Sequence, residues 1–181
     1  MHIIDSHAHL DSYAEDLEAI LTRANAAGVH TILAIGIGDG PDTMHRALEI
    51  ANATKSPALP AIFASVGIHP QQAASATPEA LRRLTALATD PKCIAIGEIG
   101  LDYYHANNPL PDVQKTAFIA QMDIAAAARK PILIHCRTSE LATPAAKEKF
   151  EPVGGPEAAW EDLLALIALH WTPHALGGIM H

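Results

Sequence analysis

Short unbroken apolar runs alternate along this chain with stretches in which apolar residues return every three or four positions. Ile3-Ile4, His30–Ile37, Ala61–Ile68, Cys93–Ile99, Pro131–Cys136 and Ala175–Met180 are of the first kind. Runs of this sort read as strands covered on both faces, and six are predicted. The second kind predicts the helices between them. Tyr13–Ala27 places Leu17, Ile20, Leu21 and Ala24 on one face and meets Gly28, a residue suited to ending a helix. Pro41 opens a second helix bearing Met44, Ala47, Leu48 and Ala51, and Thr77-Pro78 caps a third with Leu81, Leu84 and Leu87 inward. Asp112–Arg129, with Phe118, Met122 and Ala125 on one side, and a last segment with Trp160, Leu163, Leu164 and Ile167 as core complete the series. Strand and helix in strict alternation, joined by short links, imply right-handed crossovers and a parallel sheet. Either an open doubly wound sheet or a (β/α)8 barrel satisfies that pattern.

Composition narrows the class. The 181 residues are 49% hydrophobic, which suits one folded domain with a sizeable core. Twelve Lys and Arg against 20 Asp and Glu leave a formal charge of −8, so any phosphate-bearing partner needs bound cations or a local Arg or Lys to offset it. The two cysteines, Cys93 and Cys136, lie inside apolar runs and read as buried thiols of a reducing compartment. Asp5 stands too early for a secretory apolar region, and no run approaches a membrane span; a cytoplasmic location is expected.

Chemistry concentrates where strands end. His7 and His9 stand two apart just past Ile3-Ile4, and in extended chain both imidazoles point the same way, which is a chelating geometry for a divalent cation. A pair of strand-end histidines without a ligand is the other reading of that dipeptide spacing. His69, Glu98, His135 and His181 also fall at the carboxyl ends of strands. Barrel active sites are built there from several strands at once, whereas doubly wound sheets usually carry a Gly-rich phosphate loop. No G-x-G-x-x-G or P-loop is present, so the barrel is favoured. A complete barrel takes about 250 residues, and this chain supplies about six strands of one.

The runs Ile3–Asp11, Gly67–Pro70, Gly97–Tyr103, Ile134–Arg137 and Gly178–His181, in that order, resemble the TatD family of metal-dependent deoxyribonucleases, TIM-type barrels of the amidohydrolase-like superfamily. Gln114, Phe118 and Gln121 fit the same pattern, and the likeness covers nearly the whole chain. It implies an α/β fold, a TIM-type (β/α)8 barrel truncated to about six strands, with residues 1–181 as one incomplete barrel domain. It further implies two divalent metal ions, His7 and His9 holding one, Glu98 bridging both as the catalytic carboxylate, and His135 and His181 holding the second. The family's Asp at the end of strand eight has no counterpart, so the resemblance extends to the ligands and not to the whole catalytic set. The implied reaction is phosphodiester hydrolysis at DNA ends, with RNA as a further substrate, by water activated between two cations.

Around that set, Arg137 lies two residues beyond His135 and reads as a phosphate contact or as a plain salt bridge. His69 reads as a phosphate contact or as a loop-fixing residue before Pro70. Asp5 and Asp102 are expected to orient ligand imidazoles. His2, His30, His45, His105, His170 and His174 have no chelate partners in sequence, and Lys147-Glu148-Lys149 is a solvated face. The connection 138–156, broken by Pro144, Pro152, Gly154, Gly155 and Pro156, is expected to be an inserted flap beside the metals. Two other functions stand beside the nuclease. One is a small-molecule amidohydrolase or ester hydrolase with the same cage, against which the carboxylate in G-E-x-G-L-D-Y argues. The other is a non-catalytic fragment with exposed apolar edges on its first and sixth strands. Mg²⁺ suits phosphoester chemistry and Zn²⁺ suits the histidines; the sequence leaves both open.

Overall fold

In the computed structural model, which describes residues 2–13, 15–138, 144–150 and 157–181, the apolar runs form β1 (Ile3–Ala8), β2 (Val29–Gly36), β3 (Ala61–Val66), β4 (Cys93–Asp102), β5 (Ile132–Arg137) and β6 (Gly178–Met180). All pairings are parallel and the strand order is β1-β2-β3-β4-β5-β6. A doubly wound sheet must reverse its order at a switch point. Here each crossover advances by one strand in the same sense, so the helices gather on one side and the sheet curls, as in a barrel wall.

The curl is measurable across the edges. Laid flat, six strands would separate β1 from β6 by about 24 Å. Instead the ring of His7, in β1, stacks on that of His181, the residue after β6, with 3.7 Å between centroids.

The helices are α1 (Leu17–Ala26), α2 (Arg46–Ala53), α3 (Pro78–Leu87), α4 (Pro111–Ala128), α5 (Pro144–Phe150) and α6 (Ala158–Leu166). The period-two alternation of the strands divides the core in two. Ile32, Ala34, Ile62, Val66, Ile96 and Ile132 face outward against Leu21, Leu48, Leu84, Phe118, Met122 and Leu163 of the helices. Leu33, Ile35, Ala95 and Leu133 form a smaller cluster with Ile37 and Phe63 on the concave side.

Several boundaries differ from expectation, each for a local reason. The segment Leu10–Tyr13 winds as a 3-10 turn anchored by buried Leu10, so α1 begins at Leu17. Gly28, at φ 92°, ends that helix in the left-handed region. Pro41 does not open α2. The Thr43 hydroxyl accepts the Asp39 N–H at 2.7 Å and donates to the Gly40 carbonyl, holding a turn that delays the helix to Arg46. After α6 the chain widens into a π-helical turn, Ile167–Trp171, and then tightens into a 3-10 turn, Thr172–His174. Ala175 follows at φ 54°, so β6 starts only at Gly178. Leu164, expected in the core, is exposed. The two edge strands do carry exposed apolar residues: Ile4, 69% exposed, on β1, and Ile179 and Met180 on β6. Of the expected insertion 138–156, residues 144–150 are helical, whereas 139–143 and 151–156 lie outside the described residues.

Candidate metal centre

The polar side chains of the centre come from β1, β4 and β5 and from the chain just past β1, β3 and β6. β1 brings His7, whose backbone N–H is accepted at 3.0 Å by the Asp5 carboxylate. Asp5 therefore fixes the chain at His7 through its backbone, and among the described residues it makes no hydrogen bond to a ligand imidazole, unlike the orienting role expected of it. His9 follows before the 3-10 turn. β4, ten residues long and the longest strand, brings Glu98 after a cis peptide bond from Gly97. β5 brings His135, and the N–H of His181 extends the β6 ladder by donating to the Ile134 carbonyl at 2.8 Å.

Glu98 is buried among these imidazoles with its two oxygens turned to different pairs. Oε2 lies 3.5 Å from His7 Nε2 and 3.9 Å from His9 Nε2. Oε1 lies 2.9 Å from His135 Nδ1 and 4.0 Å from His181 Nε2. The Nε2 atoms of His7 and His9 are themselves 3.3 Å apart. Two groups, His7-Glu98-His181 and His69-Glu98-His135, each bring three ligand atoms within 4.8 Å of one another.

The electrostatics favour a cation. Burial alone would raise the Glu98 carboxyl, but hydrogen bonding to His135 and His7 and the nearby imidazoles outweigh it and hold the group ionised far below the usual carboxylate range. Asp102 is fully buried; burial is again outweighed, by His135 and the Tyr104 N–H among others, and its carboxyl falls to about 2. His135 lies between the two carboxylates. Burial lowers it, and Asp102 and Glu98 together more than restore it, to about 9. Its Nε2, 3.5 Å from Asp102 Oδ2, is buried without a hydrogen-bond partner among the described residues. A proton held on an imidazole by two buried carboxylates marks a place where positive charge is stabilised. A hard or borderline divalent ion suits the same imidazole and carboxylate donors. Burial and the adjacent His7 ring push His181 down, which leaves its lone pair free for a cation.

His69 joins the centre from the chain after β3. Its Nδ1 accepts the Gln71 N–H at 3.2 Å, capping the 3-10 turn Pro70–Ser75, and its ring packs edge-on against His135 with centroids 4.4 Å apart. Burial, then repulsion from His135, lower it to about 4, so the ring is neutral. With Nδ1 occupied, Nε2 carries the proton and is a donor. The loop-fixing role expected of His69 is thus met by one nitrogen, and the other remains a donor. Arg137 is exposed, with its guanidinium carbon 3.6 Å from the centre of the Tyr104 ring.

Sequence reasoning gave no structural role to the groups that hold the ligands in place. Gln121, buried on α4, accepts the Ile68 N–H at 2.7 Å and donates to the Ile68 carbonyl at 3.1 Å. Gln114, two turns earlier, accepts the Asp102 N–H at 2.7 Å and donates to the carbonyls of Asp102 and Pro109. Each amide satisfies a backbone as a neighbouring strand would, at the point where strands splay apart. Their spacing of seven on one helical face was the available signal. Gln71, which donates to Asp102 Oδ2 at 3.0 Å, offered none.

A one-sided parallel α/β wall thus gathers histidines and a shared carboxylate that could hold a metal ion. The chain belongs to the family of TatD related DNases, whose sequence model matches residues 4–181. It is 38% identical over 157 residues to the uncharacterized metal-dependent hydrolase YabD of Bacillus subtilis, covering 84% of this chain and 58% of that protein. It is 34% identical over 158 residues to the 3'-5' ssDNA/RNA exonuclease TatD of Salmonella typhimurium, covering 87% of this chain and 54% of that one. Among solved structures, a TatD family hydrolase from Entamoeba histolytica superposes with a TM-score of 0.75 at 23% identity, covering all of this chain and 58% of its own. The TatD homologue YJJV of Escherichia coli gives 0.64 at 27% identity, over 76% of this chain and 52% of its own. The chain thus spans little more than half the length of the curated relatives it matches.

Proposed function

We propose that this protein is a divalent-metal-dependent phosphodiesterase that removes nucleotides from the ends of single-stranded DNA or RNA. The observation that carries the reading is the split of Glu98, one oxygen toward His7 and His9 and the other toward His135 and His181. A carboxylate so placed is suited to be shared by two cations, with one histidine pair for each. Such cations supply an activated water and neutralise charge on phosphate oxygens.

The chain's own residues do the rest. Glu98 stays anionic and holds the two histidine pairs at a common centre. Asp102 stabilises positive charge at His135, and His69 offers its Nε2–H to a phosphate oxygen. Arg137 supplies a cation in a protein whose net charge is −8 and which would otherwise repel a polyanion. The relatives named as ssDNA/RNA exonucleases support nucleic acid as the substrate class. Both cysteines are thiols, which suits a reducing cytoplasm.

The test is a comparison of substrates with Mg²⁺, Mn²⁺ or Zn²⁺ added in turn: a 3′-overhang oligonucleotide against amide and lactone substrates. Stepwise shortening of the oligonucleotide, abolished by chelator and by Glu98→Gln, is expected. Turnover of the amide or lactone with an intact oligonucleotide would assign the same cage to small molecules. Metal binding with no turnover of any substrate would leave the chain as a non-catalytic fragment.

A further inference from the structure

The loop after β4 carries a stack that the metal chemistry does not itself require. Tyr104 and Arg137 come from neighbouring strands, since Asp102 of β4 pairs with Arg137 of β5 and the Tyr103 N–H donates to the Arg137 carbonyl at 2.9 Å. Beyond that last ladder bond, the guanidinium lies against the Tyr104 face, 3.6 Å from its centre. A cation at that distance from an aromatic face is attracted by the ring quadrupole, and stacking leaves its in-plane N–H donors free.

The ring is itself fixed. The Tyr104 N–H is accepted at 2.9 Å by Asp102 Oδ1, while Asp102 Oδ2 faces His135. Asn108 and Gln114 both donate to the Asp102 carbonyl at 2.9 Å, tying down the loop that Tyr104 begins. One buried carboxylate therefore faces the imidazole of the metal centre with one oxygen and holds the platform under Arg137 with the other. His105 packs edge-on against the same ring, 4.7 Å between centroids.

We propose that Arg137, laid on Tyr104, is a preset subsite for a backbone phosphate of a single-stranded nucleic acid beside the metal centre, with Tyr104 as its positioning residue. This rests on the nuclease reading above. A flexible arginine loses rotamer freedom when it grips a phosphate; one already stacked has lost it in advance, so affinity depends on the ring as well as on the charge.

The test uses the 181-residue chain and a fluorescein-labelled oligothymidylate with phosphorothioate ends, its binding followed by anisotropy across a salt series. Tyr104→Leu is expected to weaken binding about three- to tenfold with an unchanged salt slope, and Tyr104→Phe to bind like the parent. Arg137→Gln should weaken binding and reduce the slope of log affinity against log salt by about 0.7, the value for one phosphate contact on a single strand. Arg137→Lys should keep the slope and lose affinity. In the Arg137→Gln background, Tyr104→Leu should cost nothing further. If it costs as much there as in the parent, Tyr104 stacks on a base and the positioning role is refuted. If Tyr104→Leu binds like the parent, the subsite falls while the nuclease reading stands. If the parent binds no oligonucleotide at all, both fall.

Discussion

Replacing Gln121 with leucine tests whether helix α4 holds the site together through side-chain amides that stand in for a missing strand. The side chain is buried and, among the described residues, bonds only to Ile68, accepting once and donating once, immediately before His69. Leucine has nearly the same volume, so no cavity opens. The loss is two buried backbone groups without partners, at about 1–3 kcal/mol each. Leucine regains about 1 kcal/mol by burying more apolar surface, which leaves a net destabilisation of about 3 kcal/mol. That is a large share of the roughly 5–15 kcal/mol that holds a domain folded. Gln114→Leu should cost about as much, about 3 kcal/mol, because the Asp102 N–H and the Pro109 carbonyl lose their partner while the Asp102 carbonyl keeps its bond from Asn108. Seven helical residues separate the two amides by about 10 Å, so the double variant should be additive within about 0.5 kcal/mol. Urea unfolding followed by far-UV circular dichroism reads all three. A Gln121→Leu midpoint indistinguishable from the parent at equal m-value would refute the idea that these amides are structural clamps.

Four further outcomes are expected. Gly100→Ala places a Cβ 2.0 Å from the backbone oxygen of His135 at φ +141°, so it should abolish soluble folding, whereas Gly177→Ala, at φ +70° with nothing within 4 Å, should cost only about 1 kcal/mol of midpoint stability. Thr77→Ala removes the acceptor of the Ala80 N–H at the start of α3 and should lower stability by about 1 kcal/mol in a thermal melt. Asp102 titrates at about 2 in the fold against 3.8 when free; a depressed carboxyl stabilises above its unfolded value and loses that contribution as pH falls through the folded one. Between pH 4 and 2 the parent should therefore lose on the order of 2 kcal/mol that Asp102→Asn does not lose, read from urea midpoints against pH. Finally, a cation bound between ligands from both sheet edges should slow hydrogen exchange at Ile179–His181 more than at β3, with a global gain of about 2.7 kcal/mol at a hundredfold excess over Kd; uniform protection would argue against a ligand from β6.

How much of this was legible depended on whether the cause was local. The six strands were readable because β2 to β5 are covered on both faces and so show unbroken apolar runs, as in Ile32–Ile35. The His7 and His9 pair was readable because two residues of extended chain suffice to make it. Helix starts were less so: Pro41 has the right residue type, but the Thr43 hydroxyl ties a turn to Asp39 and Gly40 and α2 begins at Arg46. Leu164 fits the helical period of α6 and yet faces outward, because the period gives a face and not what lies against it. Tyr104 has no signal in the sequence because its partner, Arg137, is remote along the chain and meets it through the pairing of β4 with β5. Glu98 drew notice from its motif and strand end, but no local pattern tells which oxygen faces which histidines.

The curvature of the sheet and the charge of the site are two aspects of one arrangement. Glu98 comes from β4, flanked by β3 and β5, while His7 and His181 belong to opposite edges. On a flat sheet those edges would stand about 24 Å apart and no single carboxylate could reach imidazoles from both. Sequential one-sided crossovers bend the wall until both rings come within 4.0 Å of Glu98. Three-residue β6 adds few ladder bonds of its own, and apolar Ile4, Ile179 and Met180 remain exposed along the two edges. Within the described residues, the contact of His7 with His181 and Glu98 therefore joins edge to edge where backbone pairing does not. A cation held by these histidines would act on the fold, since its ligands would be the side chains that bring β1 to β6.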